Sequence, residues 1–111
     1  MQATRIDQIQ KRIDRIKAEL VAINDMRPGS LTEQFKDPDA QRGAYYQLNY
    51  WQGGRTRTDY VSRDFVREVR RQLANYKRFK ALTAEWTDLS IEQSRLKMKS
   101  ASLDFHGTGL T

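Results

Sequence analysis

The chain has 111 residues, a formal net charge of +6 and no cysteine. This length fits one domain with extensions, and the lack of cysteine excludes a disulfide framework and thiolate metal ligands. Apolar residues make up only 38% of the chain. No stretch reaches the roughly 18 apolar residues of a membrane span, and the charged start does not resemble a signal peptide. We therefore expect a cytoplasmic protein with a small core built mainly from helices.

The first predicted element is a helix over residues 2–26. Isoleucine or leucine recurs in it at alternating spacings of three and four residues, which is a heptad pattern. The seam consists of Ile6, Ile9, Ile13, Ile16, Leu20 and Ile23. So narrow an apolar stripe requires another helix as its partner. A second helix of the same chain and a second copy of the protein both satisfy it, and the unbroken seam favours a homodimer.

Turns and strands follow this helix. Pro28 and Gly29 end it, and Asp37-Pro38-Asp39 indicates a later turn. Residues 31–35, between these turns, are interpreted as a short edge strand. Aromatic and β-branched residues on both sides of a Gly-Gly pair predict a β-hairpin across residues 44–61.

The register of this hairpin can be chosen by the faces it creates. A two-residue turn would place Leu48 opposite Asp59, an apolar side chain beside a charged one. A three-residue turn instead pairs Trp51 with Arg55 and separates an apolar face from a polar one, so we expect the three-residue turn. The apolar face would carry Tyr46, Leu48, Tyr50, Thr56, Thr58 and Tyr60, and the polar face Gln47, Asn49, Trp51, Arg55, Arg57 and Asp59. We assign the tyrosines of the apolar face to the core and leave Trp51 open between core and surface.

A long second helix is predicted over residues 63–99, with Ser62 as its N-cap. Residues 100–111 contain two glycines with serine and threonine and are expected to form a flexible tail. The predicted fold is α+β and mostly α: a long antiparallel, coiled-coil-like helical pair with a β-hairpin inserted between the helices. It forms one domain, with residues 1–26 as the first helix and 27–62 as the loop and hairpin.

The positive charge is concentrated in Arg55–Lys80, which holds nine basic and three acidic residues and so carries +6 alone. A local positive field indicates a polyanionic partner, whereas a solvated helix face usually mixes both signs. Arginine can bind phosphate or guanine, amides can read adenine, and a two-stranded ribbon fits the major groove. The predicted nucleic-acid-binding residues are Gln47, Asn49, Trp51, Arg55, Arg57, Arg63, Arg67, Arg70, Arg71, Lys77 and Arg78. Duplex DNA is favoured, and stacking on Trp51 would instead favour single strands or RNA.

Catalytic signals are absent from the sequence. His106 is the only histidine and falls in the predicted tail, so a histidine triad or metal cage is not expected. Gly53-Gly54 is explained by a turn, and Asp37 with Asp39 is a weak signal for a cation. We therefore expect a non-enzymatic protein without cofactor or metal. A protein-binding module, such as a phage or mobile-element inhibitor or adaptor that docks on an acidic or nucleic-acid-binding host protein, remains the alternative.

From Met26 onward, about two-thirds of the chain resembles a family of small bacterial proteins of unknown function. The matching stretches include Met26–Leu31, Tyr45–Leu48 and Val69–Phe79. Members are often encoded near transposases or on mobile elements, so the resemblance implies an accessory or regulatory factor of such an element but supplies no activity. Many relatives carry a short cysteine cluster before the tyrosine-rich strand, which this chain lacks. The order strand, turn, strand, helix is also similar to the arm-binding domain of tyrosine integrases, whose sheet lies in the major groove.

Overall fold

The computed structural model describes residues 4–40 and 42–107, with side chains described up to residue 102. The fold is α+β, with two helices and a three-stranded antiparallel sheet in the described residues. The elements are α1 (Arg5–Val21), β1 (Ser30–Asp37), β2 (Arg42–Gln52), β3 (Arg55–Val61), a 3₁₀ turn (Arg63–Phe65) and α2 (Val66–Gly107). The predicted α+β class is confirmed. The edge strand predicted at 31–35 is also confirmed, and it extends the expected hairpin into a sheet.

The chain divides into two compact units. Unit 1 comprises the first 22 residues together with those from Lys80 onward, and unit 2 comprises Ile23–Phe79. The residues of α2 are therefore shared between the units. All eleven residues predicted to bind nucleic acid lie within unit 2.

In unit 1, the heptad seam of α1 forms the core. Thr4 caps the helix by accepting a hydrogen bond from the Asp7 backbone N–H at 3.1 Å, which explains why α1 starts at Arg5. Three seam isoleucines are almost completely buried, and so is one leucine of α2. These residues are Ile9, Ile13, Ile16 and Leu82. Three of the six seam residues are thus buried without a second copy of the chain, while Ile6, Leu20 and Ile23 are half-buried. Self-association stays a prediction.

Ion pairs connect α1 to the part of α2 in unit 1. The Arg5 guanidinium donates two hydrogen bonds to the Glu92 carboxylate at 2.7 and 2.9 Å. Arg12 donates two to Glu85, both at 2.7 Å. Arg5, the earlier residue of α1, therefore contacts Glu92, the later residue of α2. The two segments thus run in antiparallel order.

The ends of both helices differ from the predicted ones. α1 ends at Val21 rather than residue 26, because the following segment forms hydrogen bonds with α2. There, the Asp25 carbonyl accepts from Asn75 Nδ2 at 2.8 Å, and the Arg27 backbone N–H donates to the Gln72 carbonyl at 3.2 Å.

The long second helix also has different limits. A 3₁₀ turn precedes α2, and the side chain of Ser62, the predicted cap, makes no capping hydrogen bond. At the other end the helix continues to Gly107, eight residues past its predicted end. Residues 100–106 contain no glycine or proline that would stop it. Residues 108–111 of the predicted tail, and the side chain of His106, lie outside the described part of the chain.

The expected three-residue hairpin turn is wrong. Gln52 pairs with Arg55, and Leu48 pairs with Asp59, so the turn contains only Gly53 and Gly54. Their φ angles of 63° and 79° are the two positive values that a type I′ turn requires. The register was predicted wrongly because it was chosen to separate polar from apolar side chains. The Asp59 carboxylate has hydrogen-bond partners on the same side of the sheet as Leu48, as described below.

This turn gives a direct test of the corrected register. Asparagine tolerates the left-handed region, so Gly53→Asn should leave the free energy of unfolding nearly unchanged. Gly54→Val should lower it by about 1–2 kcal/mol, because a β-branched residue is strained at positive φ. Apart from Gly54 itself and its two chain neighbours, no residue has an atom within 4 Å of the position where a Cβ would stand, so the cost is that of the backbone alone. Urea denaturation of both variants measures the difference, and equal stability of the two would contradict the type I′ turn.

In unit 2, the core lies between one face of the sheet and the segments that cover it. Leu48 is completely buried, and Val69 of α2 is 2% exposed. Gly29 has a φ of 138°, and a Cβ there would approach Leu48 Cδ1 to 2.8 Å. Only glycine therefore fits at this position beside the sheet. We call the side of the sheet that carries Leu48 the inner face and the opposite side the open face.

Candidate nucleic-acid interface

The part of α2 in unit 2 has one exposed face, and that face is basic. At 100° per residue, its exposed positions span an arc of about 120°. They are Arg67, Arg70, Arg71, Ala74, Lys77 and Arg78. Glu68 is the single acidic residue in 66–79, and it lies half-buried outside this arc. We call the five cations at the exposed positions the basic arc, which consists of Arg67, Arg70, Arg71, Lys77 and Arg78.

The cations of the basic arc differ in their partners. Arg71 forms an ion pair with Glu68, three residues earlier on the helix. Arg67, Arg70 and Lys77 take part in no ion pair with a described carboxylate. An exposed cation without a carboxylate partner is free to contact a phosphate, so these three carry the strongest expectation of binding.

The remaining predicted arginines lie outside the basic arc. Arg63 is exposed in the 3₁₀ turn, and Arg55 is exposed directly after the hairpin turn. Arg57 is half-buried, and its Nε donates to the Gln52 carbonyl at 3.3 Å. Part of its donor capacity is therefore used within the hairpin.

The corrected register separates residues that were expected on one reading surface. Asn49 pairs with Thr58 and Trp51 with Thr56, so both lie on the open face with Gln47. Arg57 pairs with Tyr50, which places it on the inner face, and Arg55 shares that side. Arg57 and Asn49 therefore lie on opposite faces of the sheet. The prediction that both contact bases in one DNA groove has no support from this register.

Aromatic side chains occupy the open face instead. Trp51 is 67% exposed, and Tyr60 is 74% exposed. The assignment of Tyr60 to the core was wrong, because the two-residue turn moves it to the opposite face from Leu48. Tyr46 and Tyr50, by contrast, are half-buried on the inner face. Tyr45 lies beside Tyr60, with ring centroids 6.2 Å apart.

Arg27 organises the inner face, and the sequence patterns did not identify it as important. Its Nη2 donates to Asp59 Oδ2 at 2.8 Å, and its guanidinium carbon lies 4.7 Å from the centre of the Tyr50 ring. The Tyr50 hydroxyl donates to the other oxygen of Asp59 at 3.1 Å. One feature of the sequence could have identified Arg27. It lies directly before Pro28 and Gly29, in the stretch Met26–Leu31 on which the family resemblance rests.

The hydrogen bond from Arg27 lowers the pKa of Asp59, and burial opposes this effect in part. Because the folded state has the lower pKa, the stabilisation is complete above the unfolded value near 3.9 and is lost as pH falls through the folded pKa. Asp59→Asn should therefore reduce the decline in unfolding free energy between about pH 5 and about pH 2. Urea midpoints measured across this range test it. The exposed Asp64→Asn is the control, and an unchanged decline in the Asp59 variant would contradict the role of this pair.

Among the side chains of residues 4–40 and 42–102, no three His, Cys, Asp or Glu groups come together in a way that would hold a metal ion. Neither helix has a stretch, among its described residues, that is both long and apolar enough to span a bilayer.

The fold thus defines a small α+β protein with a basic helix face and an aromatic open sheet face in one unit. Residues 6–71, more than half of the chain, match the family model of a domain of unknown function, DUF6788. The chain belongs to this DUF6788 family. No curated protein and no solved structure matches the chain at a significant level.

Proposed function

We propose that this protein is a non-enzymatic DNA-binding protein that contacts backbone phosphates through the basic arc of α2. The observation that carries the proposal is the segregation of charge on residues 66–79 of α2: five cations share the exposed arc, and Glu68, the one carboxylate of this segment, lies outside it. Val66, Val69 and Leu73, which lie outside the arc and are buried or half-buried, attach the helix to the unit. Such a face can lie along a phosphate backbone, because Glu68 is the one acidic side chain of the segment and is paired with Arg71.

Arginine suits this role better than lysine would. Its planar guanidinium can donate two hydrogen bonds to one phosphate, and four of the five cations of the basic arc are arginine. Phosphate contacts fix the position of a protein on DNA but carry no sequence information themselves. We therefore propose binding of low sequence specificity through the arc, as in an accessory or regulatory factor of a mobile element or phage.

Single substitutions test which cations bind. Arg67→Ala should weaken binding to unrelated duplex sequences equally and flatten the dependence of log K on log salt by about one unit. Arg71→Ala should have a smaller effect, because Glu68 already neutralises part of its charge. Fluorescence anisotropy with labelled duplexes over a salt series measures both variants, with the exposed Lys99→Ala in unit 1 as the control.

Two results would contradict the proposal. One is that Arg67→Ala binds duplex DNA as tightly as the unchanged protein at every salt concentration. The other is that the unchanged protein binds no nucleic acid but binds an acidic protein surface through the same arginines. The second result would instead support a protein-binding module.

We infer that α1 and the unit 1 part of α2 pack as an intramolecular antiparallel coiled coil. The buried heptad seam and the ion pairs Arg5–Glu92 and Arg12–Glu85 support this arrangement. We also propose that the protein forms a homodimer and that it is associated with mobile elements.

A further inference from the structure

The open face of the sheet differs in charge from the rest of unit 2. The three carboxylates of the strands, Glu33, Asp37 and Asp59, all lie on the inner face. The open face carries a single charged side chain, that of Lys36. A polyanion can therefore approach this face without meeting a negative charge.

Two exposed aromatic rings stand along this face. Tyr60 lies opposite Gln47, which is four residues from Trp51 on the same strand. At about 3.4 Å per residue, the two rings are separated by roughly 14 Å along the strand direction. Between them lie Asn49 and Thr58, which offer polar atoms rather than further bulk. Aromatic side chains on the open face of a sheet can stack more than one unpaired base at a time.

The polar side chains near the rings are suited to a base. Lys36, Tyr45 and Tyr60 together line a shallow concavity, so a positive charge stands beside two ring systems. Thr58 Oγ1 donates to Asn49 Oδ1 at 2.7 Å. This bond fixes the amide of Asn49 and leaves its N–H groups to donate to an acceptor on a base edge.

We propose that the open face binds single-stranded DNA, with unpaired bases stacked on Trp51 and on Tyr60. The proposal rests on the proposed nucleic-acid function and adds a second site with a different ligand. A ring can stack on a base only if the base face is free, which excludes bases inside a duplex. DNA is chosen over RNA because the hydroxyl protons of Thr58 and Thr32 are already donated within the sheet, to Asn49 and to the Gln47 carbonyl, so neither can donate to a 2′-hydroxyl. Recognition of RNA depends on partners for the 2′-hydroxyl.

The test compares an oligothymidylate of about 12 nucleotides with a duplex, by anisotropy. Trp51→Ala and Tyr60→Ala should each weaken binding of the single strand by roughly 5- to 150-fold, the range for loss of one stacked base. Both should leave duplex affinity unchanged, because the basic arc is intact. Trp51→Tyr, which keeps a ring, should retain most of the single-strand affinity. Phe65→Ala is the matched control, since Phe65 is 49% exposed but lies outside the sheet.

A second readout uses tryptophan fluorescence. In a Trp86→Phe background, Trp51 is the single tryptophan of the chain, and the single strand should quench its emission. Unchanged single-strand affinity of Trp51→Ala and Tyr60→Ala, with duplex binding that depends on the basic arc, would overturn this inference alone. Absence of binding to any nucleic acid would overturn the proposed function as well. Tighter binding of an oligouridylate RNA than of the DNA would overturn the assignment to DNA.

Discussion

Replacing Arg67, Arg70 and Lys77 together by glutamine should weaken duplex binding by about 500-fold at 0.1 M salt. Each neutralised phosphate contributes about eightfold at 0.1 M relative to 1 M salt, since the slope is near −0.9 per contact. The three cations have no described carboxylate partner, so their full contribution should be lost. The variant should fold normally because all three side chains are exposed.

The matched control is a triple glutamine variant on the same helix. Arg95, Lys97 and Lys99 are also exposed, but they lie in unit 1. This control changes the net charge by the same amount and keeps the basic arc. An equal loss of affinity in both triple variants would show that net charge, rather than the basic arc, determines binding.

The second large effect is on stability. Leu48→Ala should lower the free energy of unfolding by about 2–5 kcal/mol, because Leu48 is completely buried and its removal leaves a cavity. The inner face is covered tightly here, since Gly29 leaves no space even for a methyl group beside Leu48. A neighbouring backbone that is packed this closely has little freedom to collapse into the cavity.

Urea denaturation measures this effect. Val21→Ala, at a position that is 87% exposed, is the control and should change stability by less than about 0.5 kcal/mol. A Leu48 variant as stable as the control variant would contradict the assignment of Leu48 to the core of unit 2.

The sequence was sufficient where short-range patterns decide the structure. The 3–4 spacing of isoleucine predicted α1 and its buried seam, and the Gly-Gly pair predicted the position of the hairpin. The edge strand was predicted from its place between two turn signals. Each of these features depends on residues that are close in the chain, so no distant contact had to be known.

The register could not be derived in the same way. The carboxylate of Asp59 belongs to the inner face because Arg27, 32 residues earlier, donates a hydrogen bond to it. A rule that sorts polar from apolar residues cannot foresee such a partner. The error of one residue moved Tyr60 from the core to the open face and separated Arg57 from Asn49. The clustering of charge was evident from the sequence, whereas its division between a basic arc and an uncharged aromatic face required the structure.

The most direct test of the central claim is the salt dependence of duplex binding by the unchanged protein. If the basic arc contacts phosphates, a plot of log K against log salt should be linear with a slope of about −2.7 or steeper, since Arg67, Arg70 and Lys77 alone supply three contacts. A slope near zero, or no binding at about 50 mM salt, where such contacts are strong, would contradict the account.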